Sequence, residues 1–265
     1  MERITSRDNP QVRALRRLLE EPKYRRQSGL FALEGARLCA DAVDSGVPIE
    51  TALITGRAAA AYPDVARRLA ESGARMLEIS EDLARRIGDT ASPQGLFCIA
   101  KGVDKTAGSG TIDKNGTYLA LENVQDPSNL GAIIRTAEAL GIDGLLTSPG
   151  CCDRYNPKVL RASMGGVFRL PLIESADLPH TLDELQKRGM TAYACVVDAD
   201  ACPVQEMRFE AGAIAVIGNE GNGLTAEIRA VCARRITIRM AGRAESLNAS
   251  VAAALIAWEM TKNRT

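Results

Sequence analysis

The chain has 265 residues, of which 33 are basic and 33 acidic, giving no net charge. A polyanionic partner must therefore be held by a local patch and not by the field of the whole molecule. This length suits one large or two modest domains, each able to bury a core, and two are expected. The seven cysteines are odd in number and show no Cys-x-x-Cys pair and no histidine-linked spacing, which points to reduced thiols in a cytoplasm and to no metal site. No apolar stretch reaches the roughly 18 residues of a membrane helix, and the first residues lack an apolar signal core. We expect a cytoplasmic protein with no membrane partner.

Basic residues outnumber acidic ones over residues 1–37, and most are arginine, whose planar fork suits phosphate. Asn9-Pro10 opens an amphipathic helix with Val12, Leu15, Leu18 and Leu19 on its apolar stripe and Arg13, Arg16 and Arg17 off it. This helix is either a docked surface helix or an RNA-facing arm. Between Leu30 and Ala100 strand-like runs at 30–33, 50–54, 75–79 and 95–100 alternate with helical ones, the pattern of a small α/β domain. Residues 102–116 lack periodicity and are rich in Gly, Ser and Lys, as a linker would be. Apolar strands at 118–121, 144–147, 191–197, 213–217 and 236–238 then alternate with helices, which implies a parallel sheet buried on both faces. The expected division is 1–102, basic arm and first α/β domain; 103–116, linker; 117–265, second α/β domain.

Three patches of the second domain carry the chemistry. The first runs Asn123-Val124-Gln125-Asp126-Pro127-Ser128-Asn129-Leu130-Gly131 and on to Arg135. Asn129 is expected to cap a helix striped by Leu130, Ile133, Ile134 and Ala137, with Gly141 as its stop. Arg135 falls roughly 140° from Leu130, off that stripe. The second patch, Gly218-Asn219-Glu220-Gly221-Asn222-Gly223, follows the strand at 213–217 directly, where open α/β sheets bind ligands. Its glycine order is not the dinucleotide fingerprint and no Walker lysine follows, so a nucleotide-dependent enzyme of ordinary doubly wound type loses ground. The third, Ser246-Leu247-Asn248, opens a helix with an expected apolar stripe of Leu247, Val251, Leu255 and Trp258, and follows a strand-to-loop junction at Ile238, Arg239 and Met240. The single histidine, His180, sits after Pro179 at a helix start and reads as a capping or surface residue, which leaves a Ser-His-Asp triad without its base.

Taken together and in order, these patches resemble the three signature motifs of the SpoU, or TrmH-like, branch of the SPOUT superfamily of RNA 2′-O-ribose methyltransferases. The resemblance covers Tyr118 to the C-terminus closely, and Lys23-Tyr24-Arg25-Arg26 with Phe31-Ala32-Leu33-Glu34-Gly35 resemble the start of the family's ribosomal-protein-like RNA-binding domain. It implies a C-terminal parallel-sheet SPOUT domain with a deep trefoil knot, bound S-adenosyl-L-methionine, and an active site completed across a homodimer. Carried over by position, it implies Asn129 and Arg135 at the ribose and its phosphate, Glu220 supporting the loop, and Ser246 and Asn248 positioning cofactor and arginine. Gly218, Asn219, Ile238, Met240, Ser246 and Leu247 would line the cofactor. Structured RNA would be held by Arg13, Arg16, Arg17, Arg25 and Arg26, together with Lys158 and Arg161 in a stretch that also resembles the family. Arg239 stands where many relatives have proline. The separate N-terminal domain favours ribosomal over transfer RNA. A tRNA methyltransferase and a non-catalytic RNA-binding or ribosome-assembly protein of the same fold are the alternatives, and the presence of Asn129 and Arg135 disfavours the latter.

Overall fold

The alternating apolar runs form two separate sheets in the computed structural model, which describes residues 2–88, 92–102 and 112–263. One compact unit comprises the described residues up to 102 together with Asp153–Phe168; the other comprises 112–152 and the chain from Arg169 onward.

In the first unit five strands lie in the order β1 (Glu2–Ile4), β4 (Arg75–Ile79), β3 (Ile49–Ile54), β5 (Leu96–Lys101), β2 (Leu30–Glu34). β1, β4 and β3 are mutually parallel, whereas β5 runs antiparallel to both β3 and β2. Helices α1 (Pro10–Glu20), α2 (Pro22–Ser28) and α6 (Glu81–Ile87) accompany this sheet, along with α3 (Ala36–Asp44), α4 (Gly56–Ala61) and α5 (Pro63–Glu71). As expected, α1 starts at Pro10, is capped by the Asn9 side chain, and buries Val12, Leu15, Leu18 and Leu19. These meet Ala32, Leu53, Leu77, Phe97 and Ile99 of the sheet and Leu83, Ala84 and Ile87 of α6. Burying a leucine fully removes about 1.5–3 kcal/mol of unfavourable hydration, so four such anchors fix the helix whatever its arginines do.

Two expectations fail here. Segment Asp153–Phe168, assigned to the second domain, packs with the first unit. Its α8 (Pro157–Ser163) and the turn of α9 (Gly166–Arg169) bring Tyr155 and Phe168 to Phe31, with ring centroids 4.2 Å and 6.1 Å away. Arg25, expected to face RNA, is instead 3% exposed. Its Nε donates to Asp153 Oδ2 at 2.7 Å and its Nη1 to the Leu18 carbonyl at 2.7 Å, so its charge is spent inside the fold. Residues 103–111 of the expected linker lie outside the described residues, and Ile112 is buried in the second unit's core.

The second unit is a seven-stranded, all-parallel sheet in the order β10 (Cys202–Pro203), β12 (Arg234–Thr237), β9 (Thr191–Cys195), β11 (Ala213–Ile217), β6 (Tyr118–Leu121), β7 (Gly144–Thr147), β8 (Leu172–Glu174). Tyr118, Ala120, Ala192, Ala194, Ile214 and Val216 face α10 (Leu178–Lys187) and α11 (Ala226–Val231). α7 (Pro127–Ala139) and α12 (Ala249–Thr261) pack against each other, α7 on β7 and α12 on β11. Strand order reverses about β6, the kind of switch point beside which open parallel sheets hold ligands. Sequence reading missed β1, β8 and β10, each only two or three residues long.

The apolar face of α12 is the opposite of the expected one. Ala253, Ile256, Ala257 and Met260 are buried, whereas Val251, Leu255 and Trp258 are 47%, 43% and 54% exposed. The helix is apolar around its whole circumference, so periodicity had no polar face to select by.

The buried Arg25–Asp153 pair generates a stability prediction. Arg25→Ala removes the ion pair with Asp153 and the donor to the α1 carbonyls, and should lower unfolding free energy by about 3 kcal/mol. Urea denaturation checks this; a loss under about 0.5 kcal/mol would mean that the pair contributes nothing net.

Candidate active site

The loop after β11 is organised by one amide. Asn219 Oδ1 accepts from the backbone N–H groups of Gly221 and Asn222 at 2.9 and 3.0 Å, and its Nδ2 donates to the Asn123 carbonyl at 2.8 Å. Backbone bonds between Asn219 and Gly223 close the turn in both directions. Gly218 then passes so close to Gly223 that a Cβ on it would stand 2.3 Å from the Gly223 carbonyl carbon, a clash against backbone that only glycine avoids.

Beside this loop, at the C-terminal ends of β9, β11 and β12, lies a cavity of about 310 Å³. Its lining includes all six expected cofactor residues: Gly218, Asn219, Ile238, Met240, Ser246 and Leu247. Ile217, Leu224 and Ile236 add apolar wall, and Glu220, Asn222 and Asp198 add polar groups. Asp198 is itself tied to Arg235 at 3.2 Å and to Arg229 at 3.7 Å. Cys195 lies on the same lining, and burial pushes its thiol well above the usual range, so it stays protonated and a poor nucleophile.

A chain of hydrogen bonds joins the three sequence patches. Asn248 Nδ2 donates to Asn129 Oδ1 at 2.9 Å, and Asn129 Nδ2 donates to Glu220 Oε1 at 3.0 Å. Glu220 also accepts from the backbone N–H of Gln125 at 3.3 Å and of Asp126 at 3.2 Å. Burial alone would raise the Glu220 pKa, but the Asn129 amide and these backbone donors outweigh it, and the carboxyl is held below its ordinary value.

Local rules explain who stands where. Asn129 does not cap α7. Pro127 takes the first helical position, so the cap falls to Asp126, whose Oδ1 accepts from Ser128 and Asn129 N–H. Asn129 is thereby one turn inside the helix and buried, free to bridge. Gly141 stops α7 as expected, in the left-handed region at φ 72°. Asn248 does cap α12, its Oδ1 accepting from Ser250 and Val251 N–H. Ser246 lines the cavity with an exposed side chain. Arg135 is exposed on α7, has no hydrogen-bond or ion-pair partner among the described residues, and is not on the cavity lining. The structure therefore brings Asn129, Glu220 and Asn248 together and leaves Arg135 apart. Arg239, in the family's proline position, pairs with Glu206 at 3.5 Å.

Sequence reading missed Glu122. It is buried at the end of β6 and accepts from the Thr225 N–H at 2.9 Å and hydroxyl at 2.7 Å, which pins the far end of the 218–225 loop. A carboxylate between an apolar strand and Asn123 was the available signal. Of the RNA candidates, Arg13, Arg26 and Lys158 are exposed; Arg16 and Arg17 are exposed but form i,i+4 pairs with Glu20 and Glu21. Such pairs contribute about 0.2–0.5 kcal/mol, so phosphate can displace them. Arg161 is half-buried.

Residues 116–258 match the SpoU rRNA Methylase family, and residues 9–98 match the MRM3-like substrate binding domain. The chain belongs to the SpoU rRNA methylase family. Among SpoU relatives, it is 31% identical to an uncharacterized tRNA/rRNA methyltransferase of Synechocystis, covering 98% of this chain and 94% of that one. It is 28% identical to the 23S rRNA (guanosine(2553)-2′-O)-methyltransferase RlmP of Bacillus subtilis, covering 98% and 99%. The AdoMet-bound rRNA methyltransferase of Sinorhizobium meliloti superposes with a TM-score of 0.88 at 28% identity, covering 100% of this chain and 98% of that one.

Glu220 gives this site a pH signature. Because its folded pKa is depressed, its anchoring of the 125–126 backbone is complete above the ordinary carboxylate range, about 4.3, and is lost as pH falls through the lower folded value. Hydrogen-exchange protection of the Gln125 and Asp126 amides should stay level from neutral pH down to about 4.3 and drop only below that. Glu220→Gln should reduce protection throughout and abolish the acid step; a variant that keeps the step would show another group titrating.

Proposed function

We propose that the protein is an S-adenosyl-L-methionine-dependent 2′-O-ribose methyltransferase acting on ribosomal RNA in the cytoplasm. The observation that carries this reading is the Asn248–Asn129–Glu220 chain, which ties the first motif to a cavity lined by the second and third. The names of the relatives, an rRNA 2′-O-methyltransferase and an AdoMet-bound rRNA methyltransferase, support it.

The cavity suits that cofactor. Ile217, Ile236, Ile238 and Leu247 give it an apolar wall against which an adenine would pack, and the Gly218–Gly223 turn, held closed because Gly218 lacks a Cβ, lies on the same lining. Glu220 and Asp198 set carboxylates on a lining that would face a cationic sulfonium. When bound, the cofactor supplies an electrophilic methyl group, and the hydroxyl that receives it must lose a proton. The chain's own residues supply placement. Asn129 fixes the start of α7 against the Glu220 loop, and Asn248 fixes the start of α12 against Asn129, so the walls of the site cannot drift independently.

The unpaired Arg135 is assigned to the RNA phosphate and to stabilising the developing alkoxide. Because it lies off the cavity of its own chain, we assign it to a site completed by a second copy. The exposed stripe of Val251, Leu255 and Trp258 on α12, the helix that packs on α7, supports a homodimer through this face. The placement of β11 between β9 and β6, with 238–247 returning to line the same cavity, supports the trefoil knot of the family resemblance.

Incubation with deproteinised ribosomal RNA and methyl-labelled cofactor should place label on ribose, resistant to alkaline cleavage; label confined to bases, or none, would reject the reading. Arg135→Ala should cut turnover by about a hundredfold with cofactor affinity unchanged, and Arg135→Lys should recover part of it. Equal loss in both variants with intact RNA binding would contradict a charge-based role.

A further inference from the structure

The first unit holds a second cavity, of about 340 Å³, that the methyl-transfer site does not use. Its lining combines Arg37, Gln94, Glu34 and Arg161 with the apolar Leu38 and Met164. It forms where β2 ends and α3 begins. Gly35 makes that junction at φ 99°, a conformation that L side chains rarely adopt, and a Cβ there would stand 3.3 Å from Gln94 Oε1. Gln94 Oε1 accepts from the Ala36 N–H at 2.7 Å. That bond fixes which way the amide points and leaves its Nε2 as a donor with no partner among the described residues. The Arg37 guanidinium is exposed and also has no hydrogen-bond or ion-pair partner among the described residues.

We propose that this cavity takes one unstacked nucleobase of the RNA substrate, with Arg37 and Gln94 donating to its acceptors and Glu34 accepting from its amino or imino donor. The proposal rests on the methyltransferase reading above for the identity of the ligand. Charge balance selects the chemistry. A bare phosphate would meet the carboxylates of Glu34 and of Asp41, which also lines the cavity; a simple cation would meet Arg37 and Arg161. A neutral planar base with donors and acceptors on one edge satisfies both kinds of group, and Leu38 and Met164 offer it apolar contact. Sequence-specific recognition of RNA works largely through such splayed bases. Methyl transfer to a ribose hydroxyl is indifferent to the base, so a reader of this kind is where selectivity would reside.

The test compares Arg37→Glu, the charge-neutral Gln94→Leu, and Ser92→Trp, which fills the cavity from its rim, with Arg67→Glu as a control on α5 away from it. Each is assayed for affinity and methyl transfer on deproteinised ribosomal RNA, for S-adenosyl-L-methionine affinity by calorimetry, and for thermal unfolding. The three cavity variants are expected to lose about tenfold or more in RNA affinity, the discrimination one lost edge contact provides. Their cofactor affinity should match wild type, as should the unfolding midpoints of Arg37→Glu and Ser92→Trp, whereas Gln94→Leu also loses the bond to the Ala36 N–H and should unfold at a lower temperature; Arg67→Glu should stay within about twofold in RNA affinity. If only Arg37→Glu weakens RNA binding, the effect is general electrostatics and the pocket is rejected; the same follows if all three bind normally. A wild-type chain that neither binds nor methylates RNA would overturn the functional reading itself, an outcome separate from these.

Discussion

The active unit depends on a single buried side chain that must donate and accept at once. Asn129 takes a hydrogen bond from Asn248 and gives one to Glu220, across sequence separations of 119 and 91 residues. Aspartate in its place could not donate and would set a second carboxylate beside Glu220; leucine would take one donor from Glu220 and leave the Asn248 Nδ2 without its acceptor. A buried polar group left without its partner costs about 1–3 kcal/mol, so the geometry of three loops is tied to one residue's chemistry. The other bonds in the region support this chain. Asp126 sets Asn129 inside α7 by taking the cap, Asn219 shapes the loop that carries Glu220, and Glu122 holds the end of that loop through Thr225.

The loop on which Glu220 rides has little room to change. Gly218 against Gly223 leaves no space for a Cβ, and Asn219 uses both ends of its amide on backbone. Neutral amides suit this task because they orient backbone without bringing a charge that must be compensated beside a cationic cofactor. The one carboxylate of that loop, Glu220, keeps its charge because the Asn129 amide and the backbone N–H groups of Gln125, Asp126 and Glu220 itself outweigh its burial.

Much of this was legible in the chain. The stripe of α1 and the strands at 75–79, 118–121, 144–147 and 213–217 follow from local pattern and appear at those residues, and the six positions that motif resemblance assigned to the cofactor line one cavity. What was misread required knowledge of distant partners. Arg25 is one of several arginines in a basic segment, and only Asp153, 128 residues away, makes it structural. The two helix starts show a finer version of the same limit: Asn129 and Asn248 both look like caps, but Pro127 hands one cap to Asp126 and thereby frees Asn129 to bridge. In α12 the pattern carried no information about orientation, since leucine, valine, isoleucine and alanine occur on every side.

The division of labour between the two units has a physical rationale. A reaction at a ribose hydroxyl meets the same atoms in every nucleotide, so a methyl-transfer site cannot gain base selectivity by improving its own fit. It also cannot be varied freely, because the glycine contact and the amide chain admit few alternatives. The cavity at the start of α3 differs in this respect. Arg37 and Gln94 stand on its rim, and neither belongs to the apolar core of the first unit. Substitution of Arg37, which is exposed and bonded to nothing among the described residues, changes what is read at small cost to folding, since exposed positions away from caps and cores shift stability by only about 0.5 kcal/mol. One chemistry can then be addressed to different RNA positions, with the tightly constrained geometry in the parallel sheet and the adjustable contacts in a separate unit.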